Sequence, residues 1–254
     1  MCCARRRKTS CATRWATMPS PAARNAHAPS PALVGVMGVV LEALAEGALW
    51  WADERALIVA DLHLEKGSSF ARRGQMLPPY DTMETLTRLA RLVSHLDPRI
   101  VVALGDSFHD DEGAARMNSA DREMLAGLQR GRHWVWIAGN HDRLAPSGLE
   151  GEHADTLGLG RLTFRHEPAV MRAEGEIAGH LHPAAVVAGT GRWVRRPCFV
   201  GDGERLILPA FGAYAGGLNV LDPAFAGLFS RKMQLFVLGQ ERVYPVSRQS
   251  LRMG

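Results

Sequence analysis

The chain has 254 residues, enough for one large domain or two small ones, with 46% hydrophobic and 22% charged residues, as in an ordinary water-soluble fold. No window approaches ~18 uninterrupted apolar residues, which excludes a membrane-spanning helix. The net charge of +4 comes from a tail: Arg5, Arg6, Arg7, Lys8, Arg14 and Arg24 lie in the first 24 residues beside no acid, and without them 24 basic residues face 26 acidic ones, a net −2. On charge alone the body is therefore not a polyanion-binding surface.

Residues 1–32 are rich in Pro, Ala, Ser and Arg and show no hydrophobic period, so a disordered basic extension is expected there. A nucleic-acid arm, a bare extension and a later start at Met18 or Met37 are all open readings. Cys2, Cys3 and Cys11 belong to the tail, and Cys198 stands alone in the body. That usage offers no disulfide framework and fits a reducing cytoplasm.

From residue 33 to residue 254 a single domain is expected, with no internal repeat and no linker. The run "ALVGVMGVVLEALA" is broken by Gly35, Gly38 and Glu42, and reads as strand rather than signal sequence. "VVLEAL" and "ALWWAD" follow as short strands, with Trp50 and Trp51 as core, and lead into the fully apolar strand "ALIVAD". A helix opens at "YDTMETLTRLARLVSHL", where Asp81 can cap and Glu84 can reach back as a capping box. Its core stripe is Met83, Leu86, Leu89, Ala90, Val93 and Leu96.

Strand "IVVAL", a helix near "SADREMLAGLQRG" and strand "HWVWIA" repeat the pattern, which predicts an α/β fold with parallel pairing. Beyond residue 150 the signal turns to close-spaced strands: "RLTFRHE", "GEIAGHL", "RWVRRPCFV", "RLILPAF" and "LFVLG".

The chemistry sits at the strand ends. "ALIVADLH" ends in Asp61 and His63. "VVALGDSFH" ends in Asp106, with His109 three residues on. "VWIAGNHD" ends in Asn140 and His141, "LTFRH" in His166, and "EIAGHLH" in His180 and His182. Ligands gather outside the carboxyl ends of strands in open α/β sheets, and carboxylate oxygen with imidazole nitrogen is a metal-ligand set. Gly105, Gly139 and Gly179 precede three of these groups and read as sharp turns. His153 rivals His166, but "GLEGEHAD" reads as a polar loop whereas His166 ends an apolar strand.

The ordered motifs D-x-H, G-D, G-N-H-D, a lone His and G-H-x-H resemble the calcineurin-like metallophosphoesterases. "DLHLEKGSSFARRGQMLPPYDT", "HEP", "GHLHP" and "LPAFGAYAGGLNV" are similar to the PdeM family of ligase-associated DNA damage response endonucleases within that group. The resemblance implies two facing mixed β-sheets flanked by helices, an α/β/β/α sandwich. It implies one divalent ion on Asp61, His63 and His182, a second on Asn140, His166 and His180, and Asp106 between them. Mn²⁺ is the first choice, with Fe²⁺ and Zn²⁺ as alternatives. His141 matches no ligand position and is expected to act as general acid, with His109 orienting it. Lys66, Arg72 and Arg73 are candidate contacts to substrate phosphate or, equally, a solvated basic turn.

The implied activity is a phosphodiesterase or endonuclease acting on DNA in repair, linked to DNA ligase and a repair helicase. A phosphoesterase for a small nucleotide or nucleotide-linked metabolite is the alternative.

Overall fold

The computed structural model describes residues 32–253, apart from residues 172, 190 and 230. The expected extension lies outside the described residues except for Ala32, which opens the first strand. In the first half the elements are β1 (Ala32–Val36), β2 (Val39–Ala43), β3 (Leu49–Trp51), β4 (Ala56–Val59), α1 (Lys66–Arg72), α2 (Asp81–Leu96), β5 (Ile100–Leu104), α3 (Gly113–Arg116), α4 (Ser119–Gln129), β6 (His133–Ile137) and β7 (Glu152–Ala154). The second half is strand-rich. It holds β8 (Thr156–Leu159), β9 (Leu162–Arg165), β10 (Glu176–Ala178), β11 (Pro183–Ala188), β12 (Trp193–Gly201), β13 (Arg205–Ile207), β14 (Leu218–Asn219), β15 (Gln234–Leu238), β16 (Val243–Val246) and β17 (Leu251–Arg252).

Strands β1 to β7 form one sheet in chain order. Pairing is antiparallel as far as β4, where short turns join neighbours, and parallel from β4 to β7. Parallel neighbours need a long crossover, which α1 with α2 and α3 with α4 supply. The second sheet runs β14-β11-β12-β13-β10-β9-β8, with β15 and β16 continuing from β12 and β17 from β11. It is mixed: β10 pairs parallel with β9 and β13, while β12 pairs antiparallel with β11 and β13.

Period-two side-chain direction gives each central strand two buried faces. In β4, Ala56 and Ile58 enter the core between the sheets, where Leu162, Phe164, Ile177, Phe199 and Leu206 meet them from the second sheet. Leu57 and Val59 point the other way, against Leu86, Leu89, Leu92 and Val93 of α2 and Leu125 and Leu128 of α4. Each of the larger side chains, Leu, Ile, Val or Phe, stabilises the fold by about 1.5–3 kcal/mol through burial. Trp50 and Trp51 are buried, as expected. The outer face of the second sheet buries Ala185, Cys198, Val200, Ile207 and Val237 under Val220 and Phe225, the latter in a 3-10 turn over Pro223–Phe225. The sandwich of two mixed sheets with helices is thus the observed fold.

Three local expectations need correction. Met83 is 50% exposed and Leu92 takes its place in the α2 stripe, because Thr82 and Thr85 turn the buried face by one position. The capping box does not form: Tyr80 is the N-cap of α2 and makes no side-chain cap bond. Asp81 instead accepts a hydrogen bond from the Gly67 N–H at 3.0 Å, so it satisfies one of the N–H groups that the first turn of α1 leaves without a helical partner. His153 lies in β7 opposite Trp136, not in a loop.

Candidate metal centre

Every proposed ligand leaves a strand at its carboxyl end, and the parallel pairs β4–β5–β6 and β9–β10 bring those ends to one edge. The chain then bends sharply. Asp61, His63, Asp106, His180 and His182 all adopt positive φ, between 44° and 68°. Left-handed geometry costs a non-glycine residue roughly 1–2 kcal/mol, so five such residues at one place mark a strained constellation held by its surroundings. Backbone bonds supply the hold: Asp61 N–H donates to Gly105 O, His63 N–H to Asp106 O, and Gly212 N–H to Asp61 O.

The glycines serve closeness more than turning. Only Gly105 has positive φ, at 71°, and a Cβ there would lie 2.5 Å from the His166 ring. Gly139 and Gly179 have ordinary φ. A Cβ at Gly179 would lie 2.7 Å from Asp61 Oδ2, and one at Gly139 would meet Asp106 and Asp142.

Two groups of ligand atoms result: Asp61 with His63 and His182, and Asp106 with His166 and His180. In the second, His166 Nδ1 lies 2.9 Å from the Leu104 carbonyl, which can only accept, so Nδ1 carries the proton. That leaves Nε2 as the atom that can ligate, and it lies 2.9 Å from Asn140 Oδ1, 3.1 Å from His180 Nδ1 and 3.3 Å from Asp106 Oδ1. Acceptor atoms crowded without a donor repel one another unless a cation lies among them. In the first group, His63 Nε2 and His182 Nε2 are 3.3 Å apart, and Asp61 Oδ1 is 3.4 Å from His182 Nε2.

Burial, and then His182 and His141, hold His63 down at about 2, so the ring is neutral and able to ligate. Burial and His166 lower His180 likewise. For His182 burial also acts downward, but the hydrogen bond and charge of Asp61 outweigh it and raise the ring. Asp106 faces both groups: Oδ1 looks toward His166, and Oδ2 is 3.9 Å from His63 Nε2. The donor set is six nitrogen and oxygen side chains plus Asn140, without sulfur. It fits two divalent ions such as Mn²⁺, Fe²⁺ or Zn²⁺.

His141 stands at the rim with its side chain 42% exposed and its Nε2 3.8 Å from Asp106 Oδ2. Its Nδ1 lies 3.1 Å from the His109 carbonyl, so that nitrogen donates and Nε2 faces the centre. The orienting atom is therefore the backbone oxygen of His109, not its imidazole. That ring stacks on His141 at 5.3 Å and an interplanar angle of 21°. Burial, then Lys66 and His141, hold His109 at about 4.

The basic residues after D-x-H divide. Lys66 lies beside the centre, donating to the Tyr214 carbonyl at 3.0 Å. Arg72 pairs with Glu112, and Arg72 and Arg73 line an open cavity of about 480 Å³ together with Asp110, Asp111 and Glu112. Three carboxylates against two guanidinium groups suit a solvated turn better than a phosphate contact.

Asp142, the last residue of G-N-H-D, carries a role the sequence reading left out. Its buried carboxylate accepts from the Phe108 N–H at 3.0 Å and the Gly139 N–H at 3.2 Å, tying the loop that carries His109 to the loop that carries His141. Burial raises its pKa to about 7. The loop after β13, "PAFGAYAGGL", is pinned against the site by Thr85 and Arg88 of α2.

Two carboxylate–histidine groups side by side, at the carboxyl edge of a two-sheet sandwich, define a metal-dependent phosphoesterase. Residues 54–214 match the calcineurin-like phosphoesterase family, and the chain belongs to it. It is similar to the crystal structure of the nuclease MPE of Pseudomonas putida, at 32% identity over 85% of this chain and 100% of that one, with a TM-score of 0.67. A more distant likeness is to Yfce, a phosphoesterase from E. coli, at 14% identity over 78% of this chain and 96% of that one, with a TM-score of 0.36. No curated protein matches.

Proposed function

We propose that this phosphoesterase is a two-metal phosphodiesterase that cuts DNA, with Mn²⁺ as its working ion. The observation that carries the reading is Asp106, whose two oxygens face the two ligand groups. Asp61, His63 and His182 would hold one ion and Asn140, His166 and His180 the other, with Asp106 between. Two bound ions supply charge neutralisation at the phosphoryl oxygens and a water made nucleophilic near neutral pH.

The chain's own contribution is orientation and proton supply. His141, fixed through Nδ1 to the His109 carbonyl, presents Nε2–H to a leaving oxygen when protonated, and its exposure lets it recover a proton from water. Lys66 adds positive charge beside the centre. DNA as substrate is supported by the likeness to a nuclease and by the PdeM-type motifs. A repair role and a link to DNA ligase and a helicase rest on those motifs alone, and a cytoplasmic location rests on the cysteine usage. No helix of the described residues is long and apolar enough to cross a membrane.

The test is the full chain loaded with Mn²⁺, offered bis-(p-nitrophenyl) phosphate, p-nitrophenyl phosphate, and nicked, single-stranded and duplex DNA. Diester turnover above monoester turnover, with DNA cleavage, is expected. Hydrolysis of the monoester or of small nucleotides with intact DNA would assign the enzyme to small-molecule substrates instead.

A further inference from the structure

The body's net −2 averages over faces that differ. Beside the metal centre the charges are mixed: the cavity lined by Asn140 and His166 carries Arg143 and Arg165 but also Asp155 and Glu167. The β11, β12 and β17 region is different. Arg192, Arg195, Arg196, Arg248 and Arg252 are all exposed there, and residues 183–201 and 243–253 contain no acid. None of the five forms an ion pair among the described residues.

Strand register orders two of these arginines and a tryptophan. Arg195 lies opposite Val186 across β12–β11, and Arg252 lies opposite the same Val186 across β11–β17. Directly opposed residues share a face, so the two arginines flank Val186 roughly 10 Å apart, two strand spacings. Trp193, two residues before Arg195, projects from the same face and is 47% exposed. The Arg252 guanidinium lies 4.6 Å from its ring centroid. The strip begins near the chemistry: β11 starts directly after His182, and Val186 is four residues on, roughly 14 Å of strand.

We propose that this face of β11, β12 and β17 is a docking surface for the single-stranded flank of a DNA substrate whose scissile phosphate lies at the metal centre. The proposal rests on the DNA reading given above and adds where the strand runs. Charge complementarity selects a polyanion, because unpaired arginines gain affinity by displacing counterions from phosphates. The half-exposed tryptophan selects an unpaired strand, since only unstacked bases offer a ring face to an aromatic side chain. Arg252, already stacked on Trp193, extends that platform with a flat cation.

The experiment uses the full, metal-loaded chain and a fluorescein-labelled oligodeoxythymidylate with a cleavage-resistant phosphorothioate backbone, read by anisotropy across a salt series. Trp193→Ala is expected to weaken binding by about fivefold or more. Arg195→Gln with Arg252→Gln should lower affinity and reduce the slope of log K against log salt by about 0.7 per arginine. Bis-(p-nitrophenyl) phosphate turnover should stay at the wild-type level for Arg252→Gln and Trp193→Ala, which also certifies folding. Wild-type affinity and slope in a variant that combines Trp193→Ala, Arg195→Gln and Arg252→Gln, while the unaltered enzyme binds the oligonucleotide, would overturn the surface and leave the DNA reading standing. An effect confined to duplex or to oligouridylate would overturn the assignment to single-stranded DNA. An unaltered enzyme that turns over the chromogenic diester but binds no oligonucleotide would overturn both.

Discussion

Replacing Gly139 by alanine should disable the centre without removing a single ligand atom. A Cβ at Gly139 would lie 2.6 Å from Asp142 Oδ1 and closer still to Asp106 Oδ1 and to the Asp106 backbone nitrogen. Comfortable carbon contacts begin near ~3.5 Å, so something must move by about 1 Å. Asp142 cannot swing away cheaply, because it accepts the Phe108 and Gly139 N–H groups. Asp106 cannot either, because its Oδ1 accepts the His141 N–H at 2.9 Å and its backbone oxygen accepts from His63. Overpacking of this kind costs about 1–3 kcal/mol, which in a chain of this size lowers the melting midpoint by about 2–12 °C. A displacement of about 1 Å at the Asp106 carboxylate should cost roughly 10²-fold in turnover. The assay is bis-(p-nitrophenyl) phosphate hydrolysis with Mn²⁺, alongside bound-metal analysis and thermal unfolding. Gly158→Ala is the control, since a Cβ there meets nothing within 4 Å. Full metal content and wild-type turnover in Gly139→Ala would refute the close-approach argument.

Asp106→Asn should lower turnover more than loss of any other ligand, with metal content falling at both groups together; two retained ions with normal turnover would remove the shared-carboxylate reading. His166→Ala should empty one metal position while His153→Ala leaves metal content and rate alone, because His153 sits in β7 outside both groups. His141→Ala should keep both ions yet slow turnover by about 10²–10⁴-fold, more for DNA than for the p-nitrophenyl diester, whose leaving group departs unprotonated. His109→Ala retains the carbonyl that orients His141, so it should cost under about tenfold. Chelation should lower the melting midpoint reversibly, since ions bound only by the folded state at about 100 times Kd stabilise it by about 2.7 kcal/mol; an unchanged midpoint would show that no metal was bound.

The strand ends and the polar side chains gathered at them were legible in the sequence by itself. Buried runs such as "ALIV" and "IVVAL" announce strands, and D-x-H, G-N-H-D and G-H-L-H place carboxylate, amide and imidazole just past each run's end. Those signals are local, and hydrophobic burial reads locally. Contacts across the chain were not legible. The preference for His166 over His153 rests on strand ends, but the proof of its tautomer is a bond to Leu104, 62 residues away. Asp81 resembles a cap for its own helix and instead caps α1, because tertiary packing sets Gly67 against it. Gly139 reads as a turn and is required for space beside Asp106. Net charge placed the basic character in the tail, while sheet pairing gathers Arg195 and Arg252 around Val186 from strands far apart in the chain. Side-chain type and short spacing are properties of the chain. Which carbonyl, carboxylate or ring then faces each of them is settled only when sheets, loops and helices close on one another.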